Sequence, residues 1–260
     1  MILKAAAGVG AALLIAGWWN GDRLPPPESM LSFILADPVQ TAQRPPMEPF
    51  QHEAGGTVYT IKPLFDYELT GLVVSESEAD AWWNIYHKKW GDSLNVKDLC
   101  VVWGDNLAKD VYRKMSFKNL SFTCYCQFKR GTGPEDWQAF RPDQLSNNHV
   151  LPSNAAIRRA IMSTRRGDQV RLSGYLCEYS HGGGFHRGTS TIRTDDGNGA
   201  CETIFVTDYE IVAPANRVWH AAHALGLLLL AGSGAWLVVS HLVHAKREAA
   251  AMEELRRSMG

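Results

Sequence analysis

The stretch "RRGDQVRLSGYL", Arg165 to Leu176, decides how the middle of this chain is read. Gly167 and Asp168 make a turn, and beyond it Val170, Leu172, Gly174 and Leu176 share one face of an alternating strand. A glycine in mid-strand packs no side chain and lets the backbone coil sharply, as a small closed sheet requires. The stretch therefore predicts one strand of a tightly coiled sheet.

The neighbouring segments fit that reading. "TVYTIKPLFDYELTGLVVSES" alternates in part, is rich in β-branched and aromatic residues, and carries Gly71 as a bulge position. "DLCVVWGD" reads as a short apolar strand and "LSFTCYCQFK" alternates again. Two segments change to the helical period. "EADAWWNIYHKKWGD" puts Trp82, Ile85, Tyr86 and Trp90 on one face, with Ser75 or Ser77 as N-cap. "PSNAAIRRAIMSTRRGD" is capped by Ser153 or Asn154 and stops at Gly167. Three closing strands are expected at "QVRLSGYLCEY", "GTSTIRTD" and "ACETIFVTDYEIV".

The opening phrase resembles the GD-x-V-x-[VL]-x-G strand of OB-fold-like barrels, over about ten residues. OB-like folds bind oligonucleotides, sugars or proteins. This domain has no basic-aromatic strand face, so the resemblance implies no ligand here. The expected class is α+β: a membrane-anchored, OB-like small β-barrel with two short helices, flanked by N- and C-terminal transmembrane helices.

The flanking helices come from the two chain ends, where apolar residues concentrate. Ala5 to Trp19 is an uncharged run behind Lys4, closed by Trp18 and Trp19, which suit a membrane interface. A cleaved signal peptide would look similar, but no clean A-x-A precedes a polar mature start, so a retained anchor is expected. Val218 to Val243 lacks Asp, Glu, Lys and Arg, and about 20 such residues cross a bilayer. Lys246 and Arg247 follow it, so the positive-inside rule puts both termini in the cytoplasm. The expected organisation is an anchor at 1–21, a Pro-rich linker at 22–56, an exported β-rich domain at 57–214, a span at 216–244 and a cytoplasmic amphipathic tail at 245–260. Met30 to Leu35 is an apolar patch within the linker that can dock as a short helix. The place is a bacterial inner membrane, with the main domain periplasmic.

Small residues interrupt both spans. Gly8 and Gly10 in the first, and Gly226, Gly232 and Gly234 in the second, allow close backbone approach between helices. His220, His223, His241 and His244 flank the second span and are read as interfacial imidazoles rather than ligands.

Chemistry is sparse. The formal charge of −1 supplies no basic field, so no nucleic-acid partner is expected. No G-x-S-x-G, H-E-x-x-H, Walker loop or C-x-x-C occurs. "LSNNHVLPS" reads as an Asx-type turn before the second helix, and it offers His149 as a general base. Arg193 and Glu202 are its candidate partners, with Asp195 and Asp196 beside them. Cys177 and Cys201 flank a hairpin and are the candidate disulfide in an oxidising compartment. "CEYSHGGGFHRGTS", Cys177 to Ser190, is read as a mobile hairpin tip rather than a zinc or copper site, and no metal or cofactor is expected.

The function expected from this reading is a non-enzymatic scaffold or assembly subunit of a bacterial cell-envelope complex. Its partners are the lipid bilayer and other membrane subunits or further copies of itself. The alternative is a membrane-tethered ligand-binding or hydrolytic domain using His149, Arg193 and Glu202.

Overall fold

The alternating run from Thr57 to Glu78 forms one unbroken strand of 22 residues. The computed structural model describes residues 2–79, 90–120, 123–195 and 200–259. The helix expected around Trp82, Ile85 and Tyr86 lies outside the described residues, and so does Asp196. The chain divides into two units, Leu24–Ala215 and Met1–Arg23 with Asn216–Gly260.

In the larger unit the strands are β1 (Val39–Ala42), β2 (Phe50–Ala54), β3 (Thr57–Glu78), β4 (Lys97–Val102), β5 (Met115–Leu120), β6 (Thr123–Phe128), β7 (Leu145–Pro152), β8 (Gln169–His181), β9 (Phe185–Arg187) and β10 (Glu202–Ala213). The class is mixed α+β with one large sheet. β3 pairs antiparallel with β4, β4 with β7, and β10 with β8, while β7 and β10 run parallel. β8 also pairs antiparallel with β3, so the sequence of pairings returns to its start. β5 and β6 form a separate two-stranded sheet.

Gly174 shows why mid-strand glycine is required. A Cβ there would stand 2.0 Å from the Phe205 carbonyl oxygen, with the register of β8 on β10 shifting just beyond, between Val206 and Asp208. Any side chain would force the two strands apart. One face of the sheet buries Leu69, Leu99, Val101, Val150, Leu172 and Ile204 around Trp103. Full burial of each such aliphatic contributes roughly 1.5–3 kcal/mol.

Among the described residues this unit has the short helices α2 (Asp105–Ala108), α3 (Pro134–Ala139) and α4 (Ala155–Ser163). The Asn154 side chain caps α4, its oxygen accepting from the Ala156 and Ile157 amides at 2.9 and 3.0 Å. At the other end, Lys97 Nζ donates to the Thr164 carbonyl at 2.7 Å and pairs with Glu76 at 3.0 Å. A cation at the carbonyl end of a helix complements its dipole, which explains a lysine buried to 1% exposure.

Three expectations are corrected here. The 22–56 segment is not a free linker: β1 and β2 both pair with β3, and Ile34 is fully buried within the 3-10 turn Ser32–Leu35. "LSNNHVLPS" is strand β7 rather than a turn. Its Asn148 tolerates burial because its side-chain nitrogen donates to the Leu99 carbonyl at 3.0 Å and to Ser146 Oγ at 2.9 Å. "GTSTIRTD" is not a strand. Ser190 Oγ lies 2.8 Å from the Ile192 carbonyl oxygen and 2.7 Å from Asp195, and its one proton serves these two acceptors, which curls the backbone into local turns.

The smaller unit consists of α1 (Ile2–Gly21) and α5 (Arg217–Ser258). Among the described residues, α5 is the one helix long and apolar enough to cross a membrane. α1 carries Lys4 near its start and Trp18-Trp19-Asn20 near its end, and it is not among the helices that long and apolar. The helices still pack closely. A Cβ on Gly10 would meet Leu229 at 3.0 Å, one on Gly17 would meet the Trp219 carbonyl at 2.6 Å, and one on Gly21 would meet His220 at 3.3 Å. Contacts that advance along α1 thus retreat along α5, and the pair is antiparallel. His220 and His223 face α1: His223 Nδ1 lies 3.3 Å from the Leu14 carbonyl. A Cβ on Gly226 would stand 2.6 Å from the Leu14 amide nitrogen, whereas Cβ atoms at Gly8, Gly232 and Gly234 would meet nothing within 4 Å.

Candidate functional site

Strand register brings the chemistry together. β4 and β7 set Asp98 opposite His149 and Cys100 opposite Asn147. β7 and β10 set His149 opposite Thr203 and Asn148 opposite Glu202. Paired residues share a face and successive residues alternate. Asp98, Asn147, His149 and Cys201 therefore line one face, and Asn148 and Glu202 the other.

On the first face His149 stands between an acid and a thiol. Its Nδ1 is 2.7 Å from Asp98 Oδ1, and its ring also hydrogen-bonds the Cys201 side chain. Asn95 Nδ2 donates to the same Asp98 oxygen at 2.9 Å. Asn147 Nδ2 donates to Cys201 Sγ at 3.4 Å, and Asn147 Oδ1 accepts from Asn119 at 2.9 Å, which fixes the direction of the amide. Asp98 and His149 are buried, while Cys201 is half-buried.

Burial alone would push the His149 imidazolium down. The Asp98 carboxylate, with hydrogen bonds from Asp98 and Cys201, overcomes this and raises it to about 9, against the opposing charge of Arg187. Asp98 is correspondingly held below the usual carboxylate range, its own burial being outweighed by His149 and Asn95. The pair is an ion pair at neutral pH, inside a shell that excludes water.

On the opposite face Arg193 reaches the core. It donates to Glu202 at 2.9 Å and to the Tyr67 hydroxyl at 2.5 Å, and its guanidinium lies 5.2 Å from the Tyr67 ring and 5.5 Å from the Trp103 ring. Trp103 in turn donates to Asp37 at 3.0 Å. Burial pushes Glu202 up to about 7 even though Arg193 opposes it. Of the three residues expected to act together, the structure joins Arg193 and Glu202. His149 projects from the other face, so the three side chains do not converge.

The cysteines pair differently from expectation. Cys100 on β4 and Cys124 on β6 form the disulfide, which ties the β5–β6 sheet to the large one. Cys177 and Cys201 are not joined to each other. Cys177 is fully buried in an apolar cluster with Tyr179 and Phe205, and burial pushes its thiol up to about 12. Cys201 points instead at His149 and Asn147. Cys126, two residues from the disulfide, is exposed.

The stretch Cys177 to Ser190 contains the hairpin in which β8 and β9 pair. Gly184, with φ +81°, turns β8 into β9. His181 Nε2 lies 3.0 Å from the Trp90 carbonyl, its Nδ1 accepts from the Gly183 amide at 3.2 Å, and its ring stacks on Phe185. Both ring nitrogens are thereby engaged. Among the described residues, no three His, Cys, Asp or Glu side chains are grouped to hold a metal ion.

Sequence reasoning singled out His149 but missed Asp98 and Cys201 as its neighbours. One signal was available: a charged residue inside the otherwise apolar "DLCVVWGD" needs a buried partner. Fold and site together define a mixed α+β protein with an apolar helix able to span a membrane and a buried carboxylate–imidazole pair beside a half-buried thiol. Compared with family models, curated proteins and solved structures, the chain matches none.

Proposed function

We propose that this chain is a scaffold or assembly subunit of a bacterial cell-envelope membrane complex. In this reading α1 and α5 both cross the inner membrane, both termini are cytoplasmic, and an OB-like β-barrel stands on the periplasmic side. The observation that carries it is the glycine-mediated packing of α1 on α5, with apolar side chains such as Val9, Ile15, Leu228 and Trp236 left exposed along the pair. Exposed apolar surface of that kind suits lipid or another helix. The α1 contacts run alongside the apolar part of α5, which supports a second crossing.

The barrel reading is supported by the circuit of pairings. In chain order, β3, β4, β7, β8 and β10 pair as first–second–third–fifth–fourth and back to the first, with α4 between the third and fourth. That is the arrangement of an OB-like barrel. A catalytic alternative built on His149, Arg193 and Glu202 has lost its geometry, since these residues lie on two faces. Purification of the full chain in mild detergent, with native mass measurement, tests the proposal. The expected result is an oligomer or a stoichiometric complex. A monodisperse monomer at micromolar concentration would overturn it.

A further inference from the structure

An arginine at the end of a membrane helix lays its stem against lipid and holds its charge in the headgroup layer. The helical pair carries two at one end. Arg217 opens α5, directly before the apolar run that starts at Val218, and Arg23 follows the last turn of α1. Asn216 draws their backbones together: its side-chain nitrogen donates to the Gly21 carbonyl at 2.9 Å and to the Arg23 carbonyl at 2.7 Å. The approach of Gly17 to the Trp219 carbonyl, and of Gly21 to His220, sets the end of α1 level with the start of α5.

Both arginines are exposed, and among the described residues neither guanidinium has an ion-pair partner. Other arginines of the chain are paired: Arg171 with Glu210, Arg193 with Glu202 and Arg257 with Glu253. Asp22, also exposed, adjoins Arg23 in the chain, so two positive charges stand with one negative. Trp18, Trp19 and Trp219 lie at this same level and are 69%, 65% and 40% exposed. Large aromatic rings left outside a helix pair fit the headgroup boundary, with an apolar body and a polar N–H. Trp236 stands 17 residues beyond Trp219 on α5, about 25 Å along the axis, which is close to the thickness of a bilayer's hydrocarbon core.

From this arrangement we infer that Arg23 and Arg217 bind the phosphate of an anionic phospholipid, with Trp18, Trp19 and Trp219 packing against its glycerol and upper acyl chains. Each guanidinium presents a planar fork of donors that matches two phosphate oxygens, and the lipid brings the counter-charge that the protein does not provide. The inference rests on α5 crossing a bilayer. It needs neither the assembly reading nor a particular orientation of the chain. Lys246 and Arg247, beyond the other end of the apolar run, give an internal comparison, since Trp236 is ten residues short of Lys246.

The test uses the full chain in mild detergent, titrated with dioleoylphosphatidylglycerol or dioleoylphosphatidylcholine, and reads bound lipid by native mass spectrometry. At least one phosphatidylglycerol should be held about tenfold more tightly than phosphatidylcholine. Arg23→Gln combined with Arg217→Gln should abolish that preference, and Lys246→Gln combined with Arg247→Gln should leave the tight adduct in place. Equal retention of the two lipids by the unmodified chain would overturn the inference without reliance on any variant. So would an unchanged preference in the arginine variant, or its loss in the Lys246 and Arg247 variant instead. The lipid-free mass reports the oligomeric state separately. A monomer that still selects phosphatidylglycerol through the two arginines would remove the assembly reading and uphold this one.

Discussion

His149 is protonated more tightly in the folded chain than in the unfolded one, and this has a thermodynamic consequence. Its imidazolium is raised from the ordinary 6.5 to about 9, by Asp98 acting against burial. The stability it contributes is therefore fully present below about pH 6.5 and is lost as pH rises through 9. The amount is on the order of 3 kcal/mol. Asp98 works in the opposite sense, and only in acid, since its carboxyl is held low. Glu202, pushed up to about 7 by burial, adds its own loss of stability between its ordinary 4.5 and 7. Above pH 7 His149 supplies most of the remaining slope, and Cys126 and Cys177, both pushed up from 9, add to it only from about pH 9. Denaturant unfolding at pH 7 and pH 9.5 should show the full chain weakening, and His149→Gln should flatten that dependence. An equal slope in both proteins would refute the buried ion pair. The sequence made His149 conspicuous but concealed its partners. Asp98 is 51 residues away, and only the antiparallel register of β4 on β7 sets them side by side.

Elements were legible where their pattern is local. The β8 strand, the Asn154 cap and the helix α4 follow from alternation, a capping side chain and an apolar face. β1 and β2 were hidden because proline-rich flanks resemble a linker, and both are held by β3, a strand remote from neither end of that segment yet unmarked as its partner. β7 was hidden by its asparagines, whose burial depends on tertiary hydrogen bonds that no local pattern announces. The helical glycines allow a prediction at this scale. A Cβ at Gly226 falls 2.6 Å from the Leu14 amide nitrogen, while one at Gly232 meets nothing. Gly226→Leu should separate α1 from α5, read as faster proteolysis of α1 in detergent micelles, and Gly232→Leu should not. Equal protection of both variants would contradict the packing described.

At the scale of the whole molecule, two units are present: a mixed α+β domain and a helical pair with one helix able to cross a bilayer. The amphipathic division was readable from composition, because apolar residues without charge accumulate at the C-terminal end. Orientation rests on few basic residues, Lys4 on one side and Lys246 with Arg247 on the other, so it requires direct measurement. Cys126 supplies the reporter, being a free thiol on the surface of the domain. The measurement is labelling of spheroplasts with a membrane-impermeant maleimide, with the modified peptide identified by mass spectrometry. The account predicts that Cys126 is labelled on intact spheroplasts, to the same extent as after lysis. Labelling of Cys126 only after lysis would place the domain in the cytoplasm and contradict the proposal.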